Sequence, residues 1–197
     1  MNLPNKLTML RMILIPFMMF FYLAEFIPHG IGKIVALVIF VAAAYTDLLD
    51  GKIARKHNLV TNFGKFLDPI ADKVLTSAVL FMIIADGTIA HPWGAIIVTI
   101  IISREFMVAA LRFLAASKGR VLAADIWGKA KTMVQMISLP ICILMAFVYT
   151  CGFAVWGWLV LTIEILAYST LVAATILTVI SGVNYVSKNI DCLKEEK

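Results

Sequence analysis

At 197 residues, 62% of them hydrophobic and only 15% charged, with a mean hydropathy of +0.96, the chain cannot fold as an ordinary soluble domain. It reads as one all-α integral membrane domain over residues 1–197, with no length left for a separate soluble one. The net charge of +5 does not point to nucleic acid, because its Lys and Arg sit in short connections between apolar runs, the pattern that topology selection produces.

In chain order, Asn2 to Arg11 contains Pro4-Asn5 and Thr8 ahead of a hydrophobic stretch, which predicts a short helix along the membrane interface. Six apolar runs follow that are long enough to cross about 30 Å of hydrocarbon: 12–27, 33–50, 66–86, 93–115, 129–149 and 155–182. Breakers mark their junctions, with Pro28 and Gly30 after the first, Asp86-Gly87 and His91-Pro92 around the third and fourth, and Gly152 before the last. The first run is not a signal peptide, since Glu25-Phe26-Ile27-Pro28-His29 offers no small-x-small cleavage site. Cys142, Cys151 and Cys192 are odd in number and at unrelated depths, so they read as packing residues.

The basic residues orient the spans. Lys6 and Arg11, the connection with Lys52, Arg55, Lys56 and Lys65, the connection with Arg112, Lys118, Arg120, Lys129 and Lys131, and the tail with Lys188, Lys194 and Lys197 share one side. The connections at 28–32, 86–92 and 150–154 contain no Lys or Arg. Both termini are therefore expected in the cytoplasm, facing anionic lipid.

Four carboxylates lie at that cytoplasmic edge. Asp47 and Asp50 are three apart at the end of the second span, and Asp68 and Asp72 are four apart at the start of the third, so each pair shares a helix face. Two carboxylates about 4 Å apart repel by roughly 4 kcal/mol at an effective dielectric near 20, so the group needs cations. Lys52, Arg55, Lys56, Lys65 and Lys73 are one source and metal ions the other. With His57 the only nitrogen or sulfur ligand between them, the set is all-oxygen and favours Mg2+, Mn2+ or Ca2+ over Zn2+. A divalent-cation transporter would carry its acids on across the membrane, whereas these stay at one end.

Further along, Arg104 and Glu105 fall inside the fourth span and Glu164 inside the sixth. Charges at such depth normally pair toward the bundle interior. One reading is a structural bridge, Arg104–Glu164 or a related pair, and the other is that Arg104 lines a substrate cavity. Pro140 in the fifth span reads as a kink. Arg112, Lys129 and Lys131 gather at cytoplasmic helix ends as candidates for gripping an anion. Lys129 and Lys131 stand about 200° apart on a helix, so only one of the two can join Arg112.

The acidic stretch, Asp47-x2-Asp50-Gly51-x2-Ala54-Arg55-x8-Gly64-x3-Asp68-x3-Asp72, resembles the signature of the CDP-alcohol phosphatidyltransferase family at every specified position. The six-span layout extends the likeness over nearly the whole chain. The stretches L-P-N-K-L-T-M-L-R at 3–11, D-P-I-A-D-K at 68–73, I-S-R-E-F-M-V-A-A-L-R at 102–112 and G-K-A-K-T at 128–132 are similar to the branch that uses glycerol 3-phosphate as acceptor.

The resemblance implies a helical bundle of that family's type and a reaction of CDP-diacylglycerol with sn-glycerol 3-phosphate, giving phosphatidylglycerol phosphate and CMP. It implies two divalent ions, Mg2+ or Mn2+, on Asp47, Asp50, Asp68 and Asp72, with Asp72 also general base on the attacking hydroxyl. Asp47, Gly51, Ala54, Arg55 and Gly64 would form the CDP site, with Thr8 and Arg11 near the diphosphate. Arg112 with Lys129 or Lys131 would hold the acceptor phosphate. A homodimer in the cytoplasmic membrane is also implied. Relatives with the same signature use other acceptors, such as inositol phosphate or serine, and the signature does not distinguish them.

Overall fold

A computed structural model describes residues 2–24, 26–27, 30–56, 62–117, 125–152 and 157–189. The connections at 57–61 and 118–124, with His57, Lys118 and Arg120, and the tail with Cys192, Lys194 and Lys197 lie outside these residues, as do Glu25, Pro28 and His29. Among the described residues six helices follow one another: α1 (Leu3–Leu23), α2 (Ile31–Lys56), α3 (Asn62–Ala85), α4 (Trp93–Ser117), α5 (Ile126–Thr150) and α6 (Gly157–Lys188). Among the described residues, four stretches are long and apolar enough to cross a membrane: Asn5–Leu23, Trp93–Ser117, Ile126–Thr150 and Gly157–Lys188. Large apolar side chains are left uncovered along them, Phe113 at 79% and Trp158 at 69%. Water would penalise such surfaces and lipid does not. The chain is an all-α, multi-pass membrane protein.

Helix boundaries differ from the sequence expectation at several ends, α6 running on to Lys188, and three of the differences fall near the aspartates. Residues 3–11 are the first turns of α1 and run on unbroken into the first span, because Pro4 stands in the first turn, where its missing N–H costs nothing. The second helix continues past Asp50 to Lys56. A lone glycine at 51 costs a helix only about 1 kcal/mol, and the Lys-Ile-Ala-Arg that follows favours helix. The third helix starts at Asn62, so Gly64 is helical. α5 runs on through Pro140.

The chain forms two compact units. The first comprises residues 1–88 and 139–164. Along α1 the buried positions are Asn5, Thr8, Arg11, Ile15, Met18 and Tyr22, spaced three or four apart and so lying in one stripe. The stripe is polar at its start and apolar beyond. On α2 the matching stripe is Gly32, Ala36, Phe40 and Ala43, small enough for close helix approach. At Gly32 a Cβ would collide with the Phe21 carbonyl oxygen. On α3 it runs through Gly64, Ala71, Leu75, Ala78, Val79 and Met82.

The end of this unit away from the aspartates is tied by polar contacts. Lys33 Nζ donates to Asp86 Oδ2 at 2.5 Å and lies 5.0 Å from the Tyr22 ring centre. Asp86 Oδ1 accepts from the Thr88 amide at 3.0 Å and from its hydroxyl. Gly30, Gly87 and Gly152 adopt φ values of 67°, 71° and 63° in the connections, a region that costs glycine little.

The second unit comprises residues 89–138 and 165–197. Its part of α6 buries Ala167, Leu171, Ala174, Thr178, Ser181, Gly182 and Tyr185, again a stripe of mostly small residues. Val108, Leu111 and Tyr185 pack together, with Val186 against them. Asp125, just before α5, accepts from Asn184 at 2.6 Å and from Lys188 at 3.2 Å. Partial burial works against its charge, but those hydrogen bonds and the Ile126 amide outweigh it and hold the carboxyl below its ordinary value.

A depressed carboxyl stabilises the fold above the unfolded value, about 3.9, and ceases to do so as pH falls through the folded one. Asp125→Ala is therefore expected to lower the unfolding temperature in detergent at neutral pH. The gap to the parent should close in acid. A gap that persists at about pH 2 would show that the carboxylate charge is not its source.

Candidate active site

The polar end of the first unit is built by three helices whose buried stripes all turn polar at the same end. Continuing the α2 stripe Ala36, Phe40, Ala43 by one turn reaches Asp47. The α3 stripe, traced back from Leu75 and Ala71, reaches Asp68 and then Gly64. Both acids meet α1. Arg11 Nη1 donates to Asp47 Oδ1 at 2.5 Å, and the Thr8 hydroxyl donates to Asp68 Oδ1 at 2.6 Å. Thr8 and Arg11 are each 1% exposed.

These two contacts bring one carboxylate of each acidic pair, Asp47 and Asp68, onto α1. Thr8 and Arg11 are three residues apart, a rise of about 4.5 Å along α1, so one turn of α1 anchors a carboxylate from α2 and another from α3. The helical backbone to Lys56 puts Asp50, Gly51 and Ala54 three, four and seven residues after Asp47, in register with its face. Their side chains, and that of Arg55, lie outside the described residues. Gly64 and Asp72 stand one turn before and one turn after Asp68. Each acidic helix thus carries a glycine one turn from an aspartate that α1 holds.

No group of three or more carboxylate, imidazole or thiol ligands is assembled among the described residues, from which the Asp50 side chain is excluded. The donors present nevertheless fit a hard divalent ion. The Asp47 side chain is 35% exposed, so it opens toward the outside of the unit while its Oδ1 is held from behind. Each anchored carboxylate engages α1 through one oxygen, which fixes its orientation and leaves the second oxygen for a ligand. Hydrogen bonding of this kind is how outer-shell groups orient metal-binding carboxylates.

In the second unit the cations expected to take an anion separate into different environments. Lys129 is exposed, whereas Lys131 is 1% exposed and forms an ion pair with Glu105. The α5 stripe explains the difference, since tracing it back from Cys142 through Ser138 and Gln135 reaches 131 and leaves 129 on the outer face. Glu105 in turn continues the α4 stripe of Val98, Ile101 and Val108. The ion pair that forms here, Lys131–Glu105, is not the Arg104–Glu164 bridge named from the sequence, whose members fall in different units.

Arg104 stands beside it with its Nε buried and without a hydrogen-bond partner among the described residues. One glycine makes room for it, since a Cβ at Gly182 would come within 3.0 Å of its Cγ. Arg112 is exposed, donates from Nε to the Tyr185 hydroxyl at 3.2 Å, and has its guanidinium carbon 5.5 Å from the Tyr185 ring centre. Sequence reasoning missed Tyr185 and the pairing of Glu105 with Lys131. Glu105 had a signal in the α4 periodicity, while Tyr185, 73 residues from Arg112, had none.

Comparison with known proteins bears directly on this arrangement. Residues 1–180 match the family model described as CDP-alcohol phosphatidyltransferase. The chain is 40% identical to a CDP-diacylglycerol–glycerol-3-phosphate 3-phosphatidyltransferase of Bacillus subtilis, over 98% of this chain and 97% of the relative. It is 38% identical to a protein of the same name from Rickettsia felis, over 93% of each. A probable phosphatidylglycerophosphate synthase of Mycobacterium tuberculosis is 35% identical over 95% of this chain and 81% of its own length.

Proposed function

The chain belongs to the CDP-alcohol phosphatidyltransferase family, whose members are metal-dependent transferases, and from that premise we propose that it moves the phosphatidyl group of CDP-diacylglycerol onto sn-glycerol 3-phosphate, giving phosphatidylglycerol phosphate and CMP. Relatives named for that reaction match nearly end to end. The observation that carries the assignment of the site is the double anchoring of Asp47 by Arg11 and of Asp68 by Thr8 on one turn of α1. Those contacts unite the two halves of the acidic signature.

In this reading Asp47, Asp50, Asp68 and Asp72 hold two divalent ions, Mg2+ or Mn2+, in a single catalytic domain spanning residues 1–197. The ions, when bound, neutralise the diphosphate and the charge that grows on the departing CMP. The protein's own groups do the rest. Gly51, Ala54 and Gly64 allow the nucleotide close to the backbone, and Arg55 offers a planar cationic fork to phosphate. Thr8 and Arg11 lie near the diphosphate while keeping two carboxylates oriented.

Asp72 accepts the proton of the glycerol hydroxyl as its oxygen bonds to the phosphorus bearing diacylglycerol. The bond from that phosphorus to the CMP oxygen breaks, and CMP leaves with the electron pair. Arg112 holds the acceptor phosphate; of the two lysines expected to join it, Lys129 and Lys131, the latter is already paired with Glu105. The site faces the cytoplasm, with both chain termini on the same side, so that the soluble acceptor reaches a donor whose acyl chains stay in lipid. The enzyme works as a homodimer.

The test is CMP release from CDP-diacylglycerol by the protein in detergent, with Mg2+ or Mn2+, offering glycerol 3-phosphate, inositol phosphate, serine or no acceptor. Release is expected with glycerol 3-phosphate alone, to be abolished by a chelator and restored by either metal. Turnover with a different acceptor would overturn the substrate assignment, and turnover in excess chelator would overturn the metal dependence.

A further inference from the structure

Among the described residues of the expected acceptor set, Arg112 is exposed and also engaged by a neighbouring side chain. Its Nε is occupied by the Tyr185 hydroxyl at 3.2 Å, and the guanidinium carbon lies 5.5 Å from the centre of the same ring. Tyr185 itself is 2% exposed and packs with Val108 and Leu111 of the helix that bears Arg112. A guanidinium carries five N–H donors in a rigid plane. With Nε engaged and the ring beside it, the remaining four donors, on the two terminal nitrogens, form the edge that matches a phosphate in two parallel hydrogen bonds.

The charges around this pair favour a dianion. Arg104 lies within electrostatic reach of both Arg112 and Tyr185. The ion pair of Lys131 and Glu105 is neutral as a unit, so the two arginines leave a formal charge of +2 in this part of the second unit. A phosphate monoester carries about −1.5 to −2 at pH 7, whereas an uncharged or zwitterionic acceptor would leave the two cations repelling each other.

We propose that Tyr185 is a positioning residue for acceptor recognition: it orients Arg112 so that the terminal nitrogens of the guanidinium present a preformed fork to the phosphate of the acceptor. The inference rests on the assignment of Arg112 to the acceptor phosphate. Tyr185 touches no substrate in this scheme and acts only through Arg112.

Tyr185→Phe keeps the buried ring and deletes the hydroxyl. The expected result is a rise in KM for glycerol 3-phosphate of roughly three- to tenfold, with kcat and the KM for CDP-diacylglycerol unchanged. Arg112→Ala should raise the same KM by more, and in that background Tyr185→Phe should have no further effect. Tyr185→Leu, which also removes the ring, should exceed Tyr185→Phe in the same parameter.

Other outcomes overturn the proposal in distinguishable ways. If Arg112→Ala raises the KM and Tyr185→Phe does not, or if the two effects multiply, Tyr185 does not act through Arg112 and the acceptor assignment stands. If Tyr185→Phe lowers kcat and raises both KM values, its role is structural. An unchanged KM in Arg112→Ala would remove the acceptor assignment and, with it, this inference.

Discussion

Asp72→Asn is expected to leave the protein folded and to reduce CMP release by about a thousandfold or more, since loss of a general base alone costs about 10²–10⁴ and this residue is assigned a second role at the metal. The amide has the shape of the carboxylate but cannot accept the hydroxyl proton and brings no charge to a divalent ion. Asp72 occupies a half-buried position one turn beyond Asp68 on α3, and its backbone carbonyl accepts from the Thr76 hydroxyl at 3.1 Å. That last contact survives the substitution, so the helix should keep its geometry.

The comparison to make is of turnover and unfolding temperature on the same preparation. Full activity in Asp72→Asn would remove the residue from the chemistry. A large fall in unfolding temperature together with lost activity would make its role structural. Raising pH should not rescue the variant, because no carboxyl is left to ionise.

How much of this was legible in the sequence depends on whether a feature lies along one helix or between two. The acidic faces follow from spacing, because residues three or four apart on a helix must share a face. The same periodicity also contains which acids turn inward, since Asp47 and Asp68 are each the next step of an apolar stripe through Ala43 or Ala71. For Lys129 and Lys131, spacing showed that only one can face inward. The choice of 131 needed the phase of a stripe that starts well inside α5, at Gln135 and Ser138.

Pairings between helices were not legible. Lys33, just after a turn, carries no local sign of a partner, yet it closes the far end of the first unit on Asp86, 53 residues away. Glu105 lies within an apolar helix in the sequence, but nothing local names Lys131 as its partner. Arg11 posed the same difficulty. By composition it reads as a residue that snorkels to headgroups, and only the fold shows its side chain at 0% exposure on Asp47.

That burial makes Arg11 the second residue where a large effect is expected. A guanidinium withdrawn from water at the polar end of a three-helix stripe is costly unless it is paired, and Asp47 supplies the pair at 2.5 Å. Methionine replaces the stem of the side chain with similar volume and no charge. Arg11→Met should therefore lower the unfolding temperature moderately, since Asp47 is 35% exposed and water can take over part of the lost contact. Activity should fall further, by roughly 10²–10³-fold, the usual consequence of removing one preorganised donor from a site that stabilises developing charge. Thr8→Val, which deletes only the 2.6 Å hydrogen bond to Asp68, should cost less, about 10–100-fold in metal affinity or turnover.

The double variant Arg11→Met, Asp47→Asn separates the two roles of the ion pair. Neutralising Asp47 removes the charge left without a partner, so the unfolding temperature should recover toward the parent while activity stays low. Recovery of both would reduce the pair to a structural clamp. Full activity in Arg11→Met alone would return Arg11 to the headgroups as a topology charge, and with it would go the argument that α1 holds the carboxylates of α2 and α3 in working orientation.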